Sequence, residues 1–336
     1  MKILIVRFSS IGDIVLTTPV VRCIKTQIPG VTLHFCTKKS YANLVNANPY
    51  IDQVHLLEDS LYELAQKLRK ERYDVLIDLH NNTRTRMLKW MLPGVQSHAF
   101  KKLNLEKFLY VQFKLDKLPN IHIVDRYLAA AAPLGVLNDE KGLDYFIPDK
   151  DVVEISWLPQ THQKGYVAVA IGAQHYTKRL PTGRLIELID KINKPVVLLG
   201  DEQDSDVARK IEDFFKRDDK YADFEEGLQK LNKKSLVFNA CGKFNLHQSA
   251  SIVQQAMYVF THDTGLMHIA AAFKKHTFSI WGNTTPKFGM YPYKTRFVVL
   301  ENNKISCRPC SKIGHNSCPK GHFKCMNEIV FDFYLP

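Results

Sequence analysis

The sequence predicts an α/β protein built on parallel sheets with crossover helices, and three observations carry that prediction. Short apolar runs alternate with segments of helical period along the chain. Polar turns containing glycine sit where an apolar run gives way to a helix, above all at Ser9-Ser10-Ile11-Gly12-Asp13 and Asp263-Thr264-Gly265. At 336 residues and 45% hydrophobic, the chain can bury two substantial cores, so two domains of roughly 150 residues each are expected.

In the first half, strands are expected over residues 2–7, 32–36, 53–56 and 75–79, with helical patterns over 13–28, 61–70 and 124–134. The second half repeats the theme, with strands over 166–171, 195–199, 236–239, 258–261 and 276–280 and a helix after each. Between the halves, residues 147–164 hold Pro148, Asp149, Asp151, Pro159 and Gln163 and read as a linker. The domains are accordingly placed at 1–156 and 157–336. No Gly-x-Gly-x-x-Gly fingerprint follows either first strand, which argues against a nicotinamide dinucleotide.

The turn at Asp263-Thr264-Gly265 lies at a strand-to-helix junction, which in an open α/β sheet is the ligand-binding edge. Gly265 lets the backbone approach a ligand, Asp263 or Thr264 can cap the helix, and the N–H groups of the first turn favour an anion such as a diphosphate. His268 follows about one helical turn on. An ordinary N-cap with a structural histidine is the competing account. At the amino end the pattern recurs, and Asp13 is either a cap favoured by the helix dipole or a carboxylate held at the sheet edge as a general base.

Ser9-Ser10-Ile11-Gly12-Asp13, Lys178-Arg179-Leu180-Pro181 and Asp263-Thr264-Gly265-Leu266-Met267-His268, in that order, resemble glycosyltransferase family 9. Its best-known members are the ADP-heptose:lipopolysaccharide heptosyltransferases. The resemblance runs over nearly the whole length and includes the stretch from Asp78 to Arg84, His122-Ile123-Val124-Asp125-Arg126, Gly200 followed by acidic residues, and a Cys-rich segment ending Cys325-Met326. It implies a GT-B fold, two Rossmann-like domains with parallel sheets facing across a cleft, the first binding acceptor and the second a nucleotide-sugar. It further implies an inverting glycosyltransferase that moves a heptose or similar sugar, with ADP-heptose the expected donor, to a lipopolysaccharide core or related anionic glycan.

Site roles follow from the same resemblance. Asp13 matches the family's proposed catalytic carboxylate, and Lys178 its phosphate-contacting lysine, acting beside the backbone N–H groups near Thr264 and Gly265. Asp204 matches the acidic position that contacts the nucleotide ribose, with Asp201 and Glu202 as alternatives. Asp263 is expected to face the donor sugar with His268 nearby. His80, Asn81, Asn82 and Arg84 follow the strand at 75–79; Arg84 and Asn81 are the acceptor candidates, Arg84 because a guanidinium grips a carboxylate or phosphate in two-pronged fashion. No cofactor is required on this reading, and a divalent metal requirement stays open. The chain departs from the family at Gln174-His175-Tyr176-Thr177, which is bulkier than the small hydroxyl residues often found there, so the sugar or base can differ. A nucleotide-sugar epimerase and a non-catalytic nucleotide-sugar binding module are the alternatives.

The formal net charge is +12, unevenly placed. Between Leu79 and Val124 lie Arg84, Arg86, Lys89, Lys101, Lys102, Lys107, Lys114 and Lys117 against Glu106 and Asp116, interleaved with Trp90, Met91, Phe108, Tyr110 and Phe113. Such a region suits an anionic lipid surface or a phosphorylated glycolipid, where each Lys or Arg gains roughly 1 kcal/mol; a solvated charged face explains the pattern equally. The family resemblance favours a lipid-linked anionic acceptor and a peripheral position on the inner membrane. No nucleic-acid-binding signature accompanies the charge, so nucleic acid is not an expected partner. The apolar run at 3–6 is broken by Arg7, short of the ~7–15 residues of a signal peptide, and no run approaches a membrane span, so a cytoplasmic location is expected. Cys23, Cys36 and Cys241 read as buried small apolar residues. Cys307, Cys310, Cys318 and Cys325 read as reduced structural thiols first, a structural zinc site second and a disulfide last.

Overall fold

The computed structural model describes residues 1–216, 221–224, 227–230 and 235–335. It contains two all-parallel sheets. The first is made of β1 (Lys2–Val6), β2 (Thr32–Lys38), β3 (Gln53–Leu57), β4 (Val75–Asp78) and β5 (Gln96–Ala99), in the order β3-β2-β1-β4-β5. The second uses β6 (Val167–Ala170) and β7 (Val196–Leu199); a small antiparallel ribbon of β8 (Tyr221–Phe224) and β9 (Gly227–Lys230) intervenes. It is completed by β10 (Val237–Asn239), β11 (Tyr258–His262), β12 (Thr277–Trp281) and β13 (Phe297–Glu301), in the order β10-β7-β6-β11-β12-β13.

Both orders reverse at one place. Each sheet grows in one direction from its first strand and then resumes on that strand's other side, beside β4 in the first sheet and β11 in the second. Loops leaving the carboxyl ends of neighbouring strands part at such a switch point and leave room for a ligand. The strands flanking it are apolar runs buried on both faces, Ile3 to Val6 and Val167 to Ala170 among them, as parallel sheets covered by helices on both sides require.

One core gathers Leu4, Val6, Phe8, Leu64, Leu68, Leu76 and Leu88. Another gathers Val169, Leu185, Leu188, Leu198, Phe260, Phe278 and Met326, with the Phe260 and Phe278 rings stacked at 4.3 Å. The chain divides into two compact units, Met1–Glu106 with Leu118–Phe146 and Lys287–Lys294, and Lys107–Lys117 with Ile147–Pro286 and Thr295–Pro336.

The helix expected over 13–28 is two helices, Ile11–Val15 and Thr18–Gln27. Pro19 has no N–H to offer Val15 O four residues back, and Thr18 Oγ1 donates to that carbonyl instead at 2.8 Å, while Ile14 O accepts from both the N–H and the Oγ1 of Thr17, at 3.0 and 2.7 Å. Likewise the pattern over 124–134 is a helix, Ile123–Leu128, followed by a short 3-10 turn at Ala132–Leu134 that contains Pro133. β5 was not expected, because Gln-Ser-His-Ala at a sheet edge carries no apolar signal; β13 and the helix Asn104–Phe113 are further additions. Among the described residues, no helix is long and apolar enough to cross a membrane.

A buried arginine ties a loop to the first sheet's helical cover. Arg22, on Thr18–Gln27, donates to both Asp139 oxygens at 2.7 and 2.8 Å, to Gly142 O at 2.8 Å and to Asp144. The hydrogen bond from Arg22 holds the Asp139 carboxyl down at about 2. A depressed carboxyl stabilises the fold above its unfolded-state pKa, and that contribution disappears as pH falls through the folded value. Asp139→Asn should therefore cost about 2 kcal/mol at pH 7, and urea melts should show the gap to wild type closing as pH drops from 4 toward 2; a gap independent of pH would refute the linkage.

Candidate functional site

In the first unit, the site is assembled where β1 and β4 end. Arg7 directly follows β1 and is almost fully buried, so its charge must be matched. It donates to Ser9 O and Leu79 O, both at 2.6 Å, and to the Tyr127 hydroxyl at 2.9 Å, and pairs with Asp13 Oδ2 at 2.6 Å. Asp13, at the third position of Ile11–Val15, also accepts from Ser10 Oγ at 3.0 Å. The carboxylate is thus held in one place by a guanidinium that the strand itself delivers.

β4 ends at Asp78, which is fully buried. Its Oδ1 accepts from the backbone N–H of His80 at 3.0 Å and of Asn81 at 2.6 Å, while Lys89 lies 3.1 Å from Oδ2. Asp78 thereby shapes the turn in which Asn81 adopts a left-handed backbone, φ 49°. Asn81 Nδ2 donates to Phe100 O at 3.0 Å. Arg84 is exposed on the first turn of Thr83–Trp90. Burial, reinforced by Arg7 and Lys102, pushes His80 down to about 4, so its ring is neutral near pH 7.

In the second unit, the corresponding place is the ends of β6 and β11. Lys178 Nζ lies 2.6 Å from Asp263 Oδ2, which also accepts from Thr284 Oγ1 at 3.1 Å. Asp263 leads into the helix Gly265–Ala272, whose N-cap is Thr264 and whose first N–H groups have no partner earlier in the helix. The sequence-nominated Lys178, Asp263, Thr264 and Gly265 are therefore together at one helix N-terminus. His268 is buried within that helix.

Asp204 is buried and accepts from Arg179 Nη1 at 2.9 Å and from Asp201 N at 3.1 Å. Burial raises its carboxyl, a shift that Arg179 opposes. Its competitors Asp201 and Glu202 are exposed. Two glycines make room for it: a Cβ on Gly172 would lie 2.0 Å from Asp204 Oδ2, and one on Gly200 would lie 2.7 Å away. Asn283, next to Thr284, is 1% exposed, and neither of its side-chain amide atoms bonds to another protein group, an arrangement that costs roughly 1–3 kcal/mol per group unless a ligand answers it.

Sequence reasoning gave no site role to Arg7, Arg179 or Asp78, whereas the turn Trp281-Gly282-Asn283-Thr284-Thr285-Pro286 reads as a candidate lining of the donor pocket. For Arg7 and Asp78 a signal was present, a charged residue ending a buried apolar strand; for Arg179, only folding brings the partner near. Of the tail cysteines, Cys307 Sγ lies 3.8 Å from His322 Nε2. Among the described residues, the one group of three His, Cys, Asp or Glu donors mutually within 4.8 Å is His34, His55 and Glu71, and it includes no tail thiol.

Comparison with known proteins settles the family. The sequence description Glycosyltransferase family 9 (heptosyltransferase) matches residues 61–320, more than half of the chain. The chain belongs to glycosyltransferase family 9. Its relatives in the family include lipooligosaccharide heptosyltransferase 2 of Haemophilus influenzae, 23% identical with 98% of this chain and 99% of that one covered. A family 9 glycosyl transferase from Veillonella parvula matches in structure with a TM-score of 0.70 at 22% identity, over 90% of this chain and 86% of that one. The E. coli ADP-heptose lps heptosyltransferase II matches with a TM-score of 0.66 at 18% identity, over 98% of each chain. The fold is the GT-B type, with two Rossmann-like halves, and the protein is a glycosyltransferase.

His262, the last residue of β11, ties the segment that follows Lys178 to that strand. Its Nε2 accepts from Leu180 N at 3.0 Å, and burial pushes the ring down to about 4. Its imidazole resonances should stay flat from pH 8 to 5 in a histidine-resolved NMR titration; a transition near 6.5 would contradict the neutral acceptor role.

Proposed function

We propose that this family 9 enzyme transfers a heptose, or a closely similar sugar, from ADP-heptose to an anionic lipopolysaccharide-core acceptor with inversion at the anomeric carbon. The observation that carries this reading is the pairing of Lys178 with Asp263 at the mouth of a helix N-terminus, a setting built for a diphosphate. The names of the relatives, lipopolysaccharide and lipooligosaccharide heptosyltransferases, point to the same donor and acceptor class.

Residues 157–336 bind the donor on this proposal and residues 1–156 the acceptor. Lys178 turns from Asp263 to the diphosphate and, with the N–H groups at Thr264 and Gly265, meets the charge that gathers on the leaving group. Asp263 faces the sugar together with Asn283, whose amide supplies the unanswered donors and acceptor. Asp204, its neighbours Asp201 and Glu202, and the loop before Lys178 flank the nucleoside. Asp13 takes the proton from the acceptor hydroxyl as it attacks the anomeric carbon. Arg7 holds the carboxylate in position, and Arg84 and Asn81 contact the acceptor. No cofactor is assigned.

Titration calorimetry with ADP, UDP, GDP and CDP should show a preference for ADP that weakens about 10- to 100-fold in Lys178→Ala, the worth of a charge-assisted contact. Asp13→Ala should lose about 10²–10⁴-fold in turnover while binding ADP as wild type does. Failure of all four nucleotides to bind, or a fully active Asp13→Ala, would defeat the proposal.

The acceptor reading extends to the membrane surface. The helix Asn104–Phe113 has no buried residue, Leu105 is 66% and Trp90 83% exposed, and both lie in the basic stretch of the sequence. We place these exposed side chains on the cytoplasmic leaflet of the inner membrane, where apolar insertion and Lys/Arg attraction add. Cosedimentation with phosphatidylglycerol vesicles should fall when Trp90 and Leu105 are both changed to Ser; unchanged binding would remove these side chains from the argument.

A further inference from the structure

Beyond the transfer site, the first unit holds a cluster that the proposed reaction does not use. His34 on β2 and His55 on β3 point to the same face, since the register sets His55 opposite Cys36 and Cys36 shares a side with His34. Tyr73, just before β4, meets both. His34 Nδ1 lies 3.1 Å from His55 Nε2 and 2.8 Å from the Tyr73 hydroxyl, which is 2.9 Å from His55 Nε2. All three residues are more than nine-tenths buried, at 3%, 8% and 6% exposure. A Glu71 carboxylate oxygen lies within 4.8 Å of a ring nitrogen of each histidine. Lys2 pairs with Glu71 at the partly open side of the cluster. His34 and His55 are the third residues of β2 and β3, and Tyr73 precedes β4, away from the carboxyl end of β1 that leads to Asp13.

Three converging atoms make a poor hydrogen-bonding set. A ring nitrogen offers one in-plane valence, either an N–H or a lone pair, yet here each of two must serve two neighbours at once. An imidazole nitrogen with its lone pair free is a metal ligand. Ligands held at ~2.1 Å from one cation stand roughly 3.0–3.4 Å apart, close to the spacing found. We propose that His34 Nδ1, His55 Nε2, the Tyr73 hydroxyl and the Glu71 carboxylate form a site for a divalent first-row transition metal, of which Zn²⁺ is the chemical type. Two imidazoles and one carboxylate are a donor set suited to that class. The ion displaces Lys2 from Glu71 and staples β2, β3 and the segment leading into β4. It is a structural site, remote from the chemistry of transfer.

The test is titration of the chelator-treated full-length protein with Co²⁺, followed by visible absorption and thermal melting. One equivalent should bind with weak d–d bands and no thiolate charge-transfer band, and should raise the Tm. Glu71→Gln, at a partly exposed position and therefore safe for folding, should weaken Co²⁺ at least ~10-fold, and His55→Gln should abolish the signal. ADP binding should be the same in wild type and Glu71→Gln, which separates this site from the donor site. The absence of saturable binding, an affinity unchanged in Glu71→Gln, or an intense thiolate band removed by Cys307→Ser would each overturn the proposal.

Discussion

A parallel strand covered on both faces has little room for a polar side chain except near its ends. β1, β4, β6 and β7 are of this kind, and the chemistry of the chain is accordingly concentrated at their carboxyl ends. Arg7 follows β1, Asp78 ends β4, the loop to Lys178 leaves β6, and Asp263 follows β11. Two of those ends in each sheet flank the point where strand order reverses. The fold thus brings two separate stretches of sequence to one opening in each unit, and the candidate residues are what those stretches present there.

Charge at these openings is held in pairs. A buried ion left without a partner costs several kcal/mol, and each one here has its answer within its own unit: Arg7 with Asp13, Asp78 with Lys89, Lys178 with Asp263, Asp204 with Arg179. The pairs keep the side chains ordered before a ligand arrives, which lowers the entropy lost on binding. They also set a condition on the chemistry. On the proposed reading, a donor diphosphate would compete with Asp263 for Lys178, and the Lys178 ammonium would be exchanged between two anions, not freshly desolvated.

The alternation of strand and helix was legible because doubly buried strands are continuous apolar runs that composition alone exposes. Edge and surface elements were not. Gln-Ser-His-Ala pairs as β5 because β4 offers it a free ladder, and nothing in those four side chains announces it. The break at Thr17-Thr18-Pro19 was visible in principle, since proline forbids the ladder bond, but the apolar period carried on across it. Of the candidate site, the turns at Asp13 and Asp263 could be placed from the residues, and their detailed roles rested on the resemblance to family 9. Arg7 and Arg179 escaped because the significance of each lies in a partner 6 or 25 positions away.

By itself the sequence determined which segments are buried and where polar turns interrupt them, local properties fixed by hydrophobicity, backbone preference and the residue types at the turns. The glycosyltransferase reading came instead from the resemblance of its ordered motifs to family 9. The tertiary structure alone decided that Lys178 meets Asp263, that Gly172 leaves the space Asp204 fills, and that His34, His55 and Tyr73 converge on one point. Each of those facts depends on strand order and register, which bring together residues far apart in the chain, and no local pattern encodes the distance between them.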